Sequence, residues 1–356
     1  MALRTVGLRW LAALNCGGML LVLVMGAAVT NTGSAEGCGR SWPLCNGQFV
    51  PEFTVATAIE YSHRAVTGLE SVLVVALTVA MLVLWRQNRE VVVLAVLMLG
   101  TLILQAGLGA GAVLWPQSPL MLATHFGVSL VAFASTFLSA AVVFERTSTG
   151  QVPFRPGASR TMTLGITAYV LGVVYLGAYV RHAGLSLSCL DWPLCNGQVI
   201  PPLDSVTGVV FAHRLAALGA VVLIGWLAVR DRSAVASWAF GFGVLQALSG
   251  ALIVWTRLGL FSTLLHAGLM GVLFALLTYV VRRSLTSAQR NDSVPDVYIL
   301  SDGAARRVQQ RDLASHVLSR SPAVVPASAG GRAVADHADS QRTATGRPKP
   351  ESTEVQ

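Results

Sequence analysis

Four histidines and one glutamate are the residues of this sequence whose types and spacing point to chemistry. His63, His125, His213 and His266 each lie near the start of a long apolar segment. Ionisable side chains inside a membrane are costly, and those that occur there usually have a function. A single histidine of this kind is as often a hydrogen-bonding contact between helices. Four of them at matched positions indicate a set of ligands instead.

The matched positions come from an internal duplication. Residues 42–48 and residues 192–198 both read WPLCNGQ, and the same offset of 150 carries His63 onto His213 and Arg64 onto Arg214. Each histidine is predicted three to six residues into its helix, or about 5–9 Å below the helix end. Imidazole pairs from facing helices are a natural axial arrangement for a b-type haem. A copper or zinc site more often adds cysteine, methionine or carboxylate ligands.

Glu60 breaks the symmetry of the duplication. It lies three residues before His63, on the same helical face, and is the one carboxylate near a histidine within a predicted span. The position 150 residues later is Val210. A structural carboxylate is expected in both halves, whereas a catalytic one is needed once, so we expect the first half to be reactive. The alternative is that Glu60 reaches the membrane interface or pairs with Arg64.

Arg64 and Arg214 follow their histidines directly. Their guanidinium groups either bind haem propionates or anchor helix ends at the headgroups. Arg181 and Arg257 are weaker candidates of the same kind.

Four of the five cysteines form two short loops. Cys38 and Cys45 have the spacing C-x6-C, and Cys189 and Cys195 have C-x5-C. Neither spacing matches a zinc knuckle or a covalent haem attachment site. Each pair is close enough to form one disulfide, either structural or redox-active. Cys16 lies in an apolar run and is predicted to be a small buried hydrophobe.

The composition indicates a membrane protein. Of 356 residues, 54% are hydrophobic and 12% are charged, which does not describe a soluble domain. The apolar run from Leu11 to Thr30 is too long for a typical signal peptide and is expected to span the membrane. Backbone groups in lipid must bond internally, so the apolar segments are helices. They are predicted at about 8–30, 60–84, 91–114, 120–144, 161–181, 208–229, 233–255 and 261–281.

The loops predict the orientation. The net charge of +8 comes from arginines in alternate short loops and in the tail, so it indicates orientation and not nucleic-acid binding. The opposite loops carry the four cysteines, whose disulfides persist outside the cytosol. We therefore expect a multi-pass protein of the cell membrane, with both termini cytoplasmic and the cysteine loops on the outer face.

The predicted fold is an all-α membrane protein of eight transmembrane helices, arranged as two tandem four-helix bundles of the same orientation. Residues 284–356 lack periodicity and are predicted to be a disordered cytoplasmic tail. The predicted divisions are 1–145, a linker at 146–160, 161–283, and the tail.

With these residues assembled, the chain resembles the haem A synthase family over about residues 8–283. The resemblance depends on Glu60-Tyr-Ser-His63-Arg64, the paired cysteine loops, His125, Phe211-Ala-His213-Arg214 and His266. It implies oxidation of the C8 methyl group of haem O to a formyl group by successive hydroxylations, giving haem A.

The resemblance also implies roles for individual residues. His63 and His125 would flank the substrate haem O, Glu60 would serve the reaction, and His213 and His266 would ligate a haem b cofactor. The implied partners are haem O synthase upstream and a terminal oxidase as recipient of haem A, with the lipid bilayer around the protein. Whether the chain forms a homo-oligomer is left open.

Two other classes of function remain at this stage. One is a bis-histidine cytochrome b that transfers electrons without altering haem, which leaves the difference between Glu60 and Val210 unexplained. The other is a thiol oxidoreductase or haem carrier whose loop cysteines are the active groups.

Overall fold

Eight long α-helices make up the described part of the chain. The computed structural model describes residues 2–148 and 158–292. All eight helices are long and apolar enough to cross a membrane, so the chain is an all-α, multi-pass membrane protein. In chain order they are α1 (Ala2–Asn31), α2 (Val55–Trp85), α3 (Arg89–Leu114), α4 (Pro119–Thr147), α5 (Arg160–His182), α6 (Val206–Asp231), α7 (Ala234–Trp255) and α8 (Leu260–Asp292).

Capping residues set most of the helix starts. The Thr54 side chain accepts a hydrogen bond from the Thr57 amide, so α2 begins five residues before its predicted start. Side-chain oxygens of this kind satisfy amides that have no partner within the first turn. The same arrangement begins α3, α4, α5 and α7, at Asn88, Ser118, Ser159 and Ser233.

The end of α8 differs from the prediction. The helix continues to Asp292, although the tail was predicted to begin at residue 284. No proline or glycine interrupts the sequence between Arg283 and Pro295, so nothing local ends the helix earlier. Residues 149–157 of the predicted linker and residues 293–356 of the predicted tail lie outside the described residues.

The helix contacts divide the eight helices into two groups of four. Within the first group α1 and α3 both pack against α2 and α4, and within the second α5 and α7 both pack against α6 and α8. The groups meet through α1, α4, α5 and α8. When the two groups are exchanged, the contact between α1 and α8 becomes the contact between α5 and α4, so both groups contribute equivalent helices to the interface. In α4 and α8, 61% and 44% of the most apolar window is buried, against 28% or less elsewhere, so these two helices lie innermost.

Polar contacts join the two groups at both ends. On the side that carries the loops 32–54 and 183–205, here called the cysteine-loop side, the Arg181 guanidinium donates to Asn31 Oδ1 at 2.6 and 3.0 Å. At the opposite end, Arg282 of α8 bridges Glu90 of α3 at 2.6 Å and Glu145 of α4 at 2.7 Å. These bonds fix the helices that carry the candidate site.

Candidate functional site

The four predicted histidines lie at similar depths on the cysteine-loop side. They are six to eight residues into α2, α4, α6 and α8, or about 9–12 Å from the helix starts. This is deeper than predicted, because the helices begin earlier. His63 interacts electrostatically with His125, and His266 with His213. Within each predicted pair the two histidines therefore lie within electrostatic range of each other.

A glycine of the neighbouring helix faces each histidine ring. A Cβ atom at Gly26 of α1 would lie 3.4 Å from Cε1 of His63, and one at Gly177 of α5 would lie 2.5 Å from Cε1 of His213. The corresponding distances are 3.6 Å for Gly109 of α3 with His125 and 3.4 Å for Gly250 of α7 with His266. Each imidazole thus packs on bare backbone. At Gly177 a Cβ atom would displace the ring of His213, whereas at the other three glycines it would make ordinary contact.

Three of the four imidazoles have an unsatisfied nitrogen. Nδ1 of His63, His125 and His213 is buried without a hydrogen-bond partner among the described residues. His266 differs, since its Nδ1 lies 2.8 Å from Ser249 Oγ and its Nε2 lies 3.1 Å from Gln246 Nε2. A buried polar atom without a partner is destabilising, so these rings fit a site that a ligand completes.

Each cysteine loop is closed by a tight turn and a disulfide. Cys45 and Gln48 exchange backbone hydrogen bonds of 2.9 and 3.1 Å across Asn46-Gly47, both of which have positive φ. The Asn-Gly pair suits this two-residue turn because asparagine and glycine adopt positive φ readily. Residues 195–198 repeat the turn. The predicted disulfides Cys38–Cys45 and Cys189–Cys195 are both formed.

Glu60 and Arg64 hold the first loop against α2. Glu60 is 4% exposed; its Oε2 accepts from the Cys38 amide at 2.8 Å and its Oε1 from Arg64 Nη2 at 2.6 Å. Arg64 Nη1 donates to the carbonyl oxygens of Ser41 and Leu44 at 2.8 and 2.9 Å. The carboxylate and the guanidinium are therefore both bound to the ring that the first disulfide closes.

The second loop is held without a carboxylate on the helix. Arg214 donates to the carbonyl oxygens of Leu194 at 2.6 Å and Cys189 at 3.3 Å. Val210, in the place of Glu60, is buried in an apolar cluster with the second disulfide. Arg214 and this apolar cluster thus hold the second loop with no acid at the position of Glu60.

A different carboxylate organises the second loop internally. Asp191 accepts from the Gly197 amide at 2.8 Å and from the Asn196 amide at 2.5 Å. The Gly197 amide, with that of Asn196, lowers the pKa of the Asp191 carboxyl group below its ordinary value. The first loop has Ser41 at this position.

Sequence reasoning missed two titratable residues. His182, the last residue of α5, interacts electrostatically with His125 of the other half; the helix was predicted to end one residue earlier. Glu70 is 3% exposed within α2 and is a second buried carboxyl group in that span, which the sequence analysis did not single out. Its spacing of seven residues from His63, two turns on one face, was the available signal.

Fold and site together define a duplicated multi-pass membrane protein with a partly buried histidine pair in each half. The comparisons with known proteins agree with this class. Residues 9–278 match the model of the COX15-CtaA family, described as cytochrome oxidase assembly proteins. The chain belongs to that family.

Curated relatives are similar over most of their length. The chain is 42% identical to the heme A synthase of Symbiobacterium thermophilum over 293 residues, which cover 77% of this chain and 94% of that protein. It is 41% identical to the heme A synthase of Geobacillus kaustophilus over 296 residues, or 78% and 92% of the two chains. The heme A synthase of Bacillus cereus is 40% identical over 286 residues, or 77% and 92%.

Proposed function

We propose that this protein is a haem A synthase, an oxidoreductase that converts the C8 methyl group of haem O to a formyl group by successive hydroxylations. The observation that carries the proposal is the pair of partly buried histidine sites, of which one alone has a carboxylate three residues away. Family membership and the names of the relatives support it.

The histidine pairs suit haem iron. The Nδ1 atoms of His63, His125 and His213 have no partner among the described residues, and the facing glycines leave each ring against backbone. We assign His63 and His125 to the substrate haem O. His213 and His266 would hold haem b, and Gln246 must give up its contact with Nε2 of His266 if that nitrogen binds iron. Haem iron supplies the one-electron and oxygen chemistry.

Glu60 is assigned to the reaction because the second loop is held against its helix with Val210 in the place of Glu60. A methyl group has no acidic proton, so oxidation at its carbon develops charge that a fixed carboxylate can stabilise, or releases a proton that it can accept. The Cys38 amide and Arg64 fix Glu60 on the helical face of His63. Arg64 and Arg214 position the loops, and a haem propionate would bind through their remaining N–H groups.

The membrane orientation and the partners follow from the same proposal. The arginine-rich ends are assigned to the cytoplasm and the cysteine-loop side to the outer face of the cell membrane. Haem O synthase would supply the substrate, and a terminal oxidase would receive the product.

The test is to express the chain with haem O synthase in cells that lack an enzyme of this kind, and to extract and weigh the haems. We expect the mass of a formyl haem. Accumulation of haem O alone would contradict the proposal, and haem b bound to a protein that makes no formyl haem would favour an electron-transfer cytochrome. A function that is lost when the loop cysteines are replaced, and kept when the histidines are replaced, would favour a thiol oxidoreductase.

A further inference from the structure

Glu70 is a buried carboxyl group that the proposed reaction does not use. It is 3% exposed, it lies within the membrane-spanning part of α2, and its Oε1 is buried without a hydrogen-bond partner among the described residues. A carboxylate in such a place is costly, and the neutral acid is much less so. The group is therefore placed to gain or lose a proton when the local charge changes.

The adjoining helix is shaped around this side chain. A Cβ atom at Gly18 of α1 would overlap Glu70 Oε2, so the carboxyl group occupies space that exists because residue 18 is glycine. Asn15, one turn earlier on α1, is fully buried and donates to the Leu73 carbonyl of α2 at 3.1 Å, while its own Oδ1 has no partner in the described chain. Glu70 thus lies in a polar interior site between α1 and α2.

Few other charges surround the site. From α1, the Cys16 thiol lies within electrostatic range of Glu70. From α3, the other helix packed against α2, the titratable residues are Arg89 and Glu90, both at the helix start. On α2 itself the nearest titratable group on the same face is His63. His63 is therefore the residue of the candidate site that lies on the same face of α2 as Glu70, and both side chains face glycines of α1, Gly26 and Gly18.

The distance to His63 is short enough for this coupling. Seven residues separate the two along α2, or about 10 Å at 1.5 Å per residue. A unit charge about 10 Å away, at an effective dielectric constant of about 20, changes a proton-binding constant roughly tenfold. Such a change alters the fraction of protein molecules in which Glu70 is protonated.

The second half lacks this acid. The position 150 residues after Glu70 is Ala220. Around the first helix of each half, equivalent residues of the two halves are 151 positions apart, as in the pairs Gly33–Gly184 and Cys38–Cys189. Gly18 therefore corresponds to Tyr169. The Tyr169 hydroxyl donates to the Ala216 carbonyl at 3.1 Å. The second half thus places a hydrogen-bonded phenol where the first half places an unpaired acid.

We propose that Glu70 is a proton-exchanging carboxyl group of the first half, which binds a proton when negative charge is added at the His63–His125 site and releases it when that charge is withdrawn. In the balanced step the iron of the bound haem would take one electron from an electrode through a soluble mediator, and the Glu70 carboxylate would take one proton from the aqueous buffer, which is left as its conjugate base. No bond to carbon changes. The proposal depends on the proposed function in requiring haem between His63 and His125.

The test is infrared difference spectroscopy of the purified, haem-loaded protein between its oxidised and reduced states. We expect a carboxylic acid C=O band that appears on reduction and shifts in deuterated water. It should be absent from Glu70→Gln, which keeps the shape and cannot titrate, and present in Glu52→Gln, which removes an exposed loop carboxylate. In Glu70→Gln the midpoint potential of the first-half haem should also depend less on pH.

A band that persists in Glu70→Gln would overturn the proposal, and so would an unchanged pH dependence of the potential. If Glu70→Gln does not fold, Glu70→Asp keeps an acid one methylene shorter and must move the band, so a band that Glu70→Asp leaves in place also overturns it. If the wild-type protein shows no first-half haem in its optical spectrum, that result counts against the proposed function. If that haem is bound but the carboxylic acid band is absent, the result counts against the role of Glu70 alone.

Discussion

The two halves of this protein share a frame and differ in where they place carboxyl groups. Both have a disulfide loop, an Asn-Gly turn, an arginine that holds the loop, and a histidine pair. The first half buries Glu60 and Glu70 in α2, where the second has Val210 and Ala220 in α6. Because the second half keeps its loop in place with Val210, Glu60 is the acid whose removal most directly tests the division of roles that we propose for the two halves.

The histidines give the largest test of that division. We expect His63→Ala to lose the substrate haem and abolish formyl haem formation, because an axial ligand is removed, while the spectrum of the second-half haem remains. His213→Ala should instead lose the low-spin b-type spectrum. Optical spectra and haem extraction measure both, with Ser71→Ala of α2 as a control that should change neither. Loss of the same haem in both variants would contradict the division.

The arginines should differ in their effect on stability. Arg64→Ala leaves the buried Glu60 carboxylate unpaired and should lower the free energy of unfolding by about 3 kcal/mol. Arg214→Ala removes two hydrogen bonds to carbonyl oxygens and should cost about 1–2 kcal/mol. Thermal unfolding of both variants in one detergent measures the difference. Equal losses of stability would show that the Glu60–Arg64 ion pair contributes no more than the hydrogen bonds of Arg214.

Removing one or the other disulfide should lower stability equally but lower activity unequally. Replacing either cysteine pair by serine opens a ring of similar length and should cost about 2.5 kcal/mol. Replacing Cys38 and Cys45 should also lower formyl haem yield, because that ring positions Glu60. Replacing Cys189 and Cys195 should leave a larger share of the yield, as measured by haem extraction at equal amounts of folded protein. Equal losses of yield would contradict the positioning role of the first ring.

The smallest expected effect is a loss of stability of the second loop at acidic pH. A lowered pKa of Asp191 means that its contribution to stability is complete above the ordinary aspartate value of 3.8 and is lost as the pH falls through the lowered value. Asp191→Asn should remove this acid dependence, whereas Ser41→Ala in the first loop should not. Protease cleavage of residues 188–198 as a function of pH measures it, and an unchanged profile in Asp191→Asn would count against the assignment.

Much of the fold followed from the sequence because lipid leaves few choices. Long apolar runs must be helices, so all eight were predicted, and the errors lie at boundaries such as Thr54, where a single cap decides the start. The repeat of WPLCNGQ with its His-Arg pair predicted the equivalence of the two loops, since the Asn-Gly turn is a local property.

The site was predicted less completely. The histidine pairs followed from matched spacing, but the bond from the Cys38 amide to Glu60 joins residues 22 positions apart and has no sequence signature. The surroundings of Glu70 were not predicted, because the residue that faces it on α1 is a glycine, Gly18. The importance of Gly18 lies in the space it leaves. Contacts between helices of this kind require coordinates.

The central claim is that the half with Glu60 carries out the oxidation, and its most direct measurement is the haem content of Glu60→Gln. Glutamine keeps an oxygen for the Cys38 amide and removes the charge. We expect both haems to stay bound and formyl haem formation to fall by about 100-fold or more, while Val210→Gln in the second half leaves the yield near that of the wild type. A wild-type yield of formyl haem from Glu60→Gln would contradict the claim.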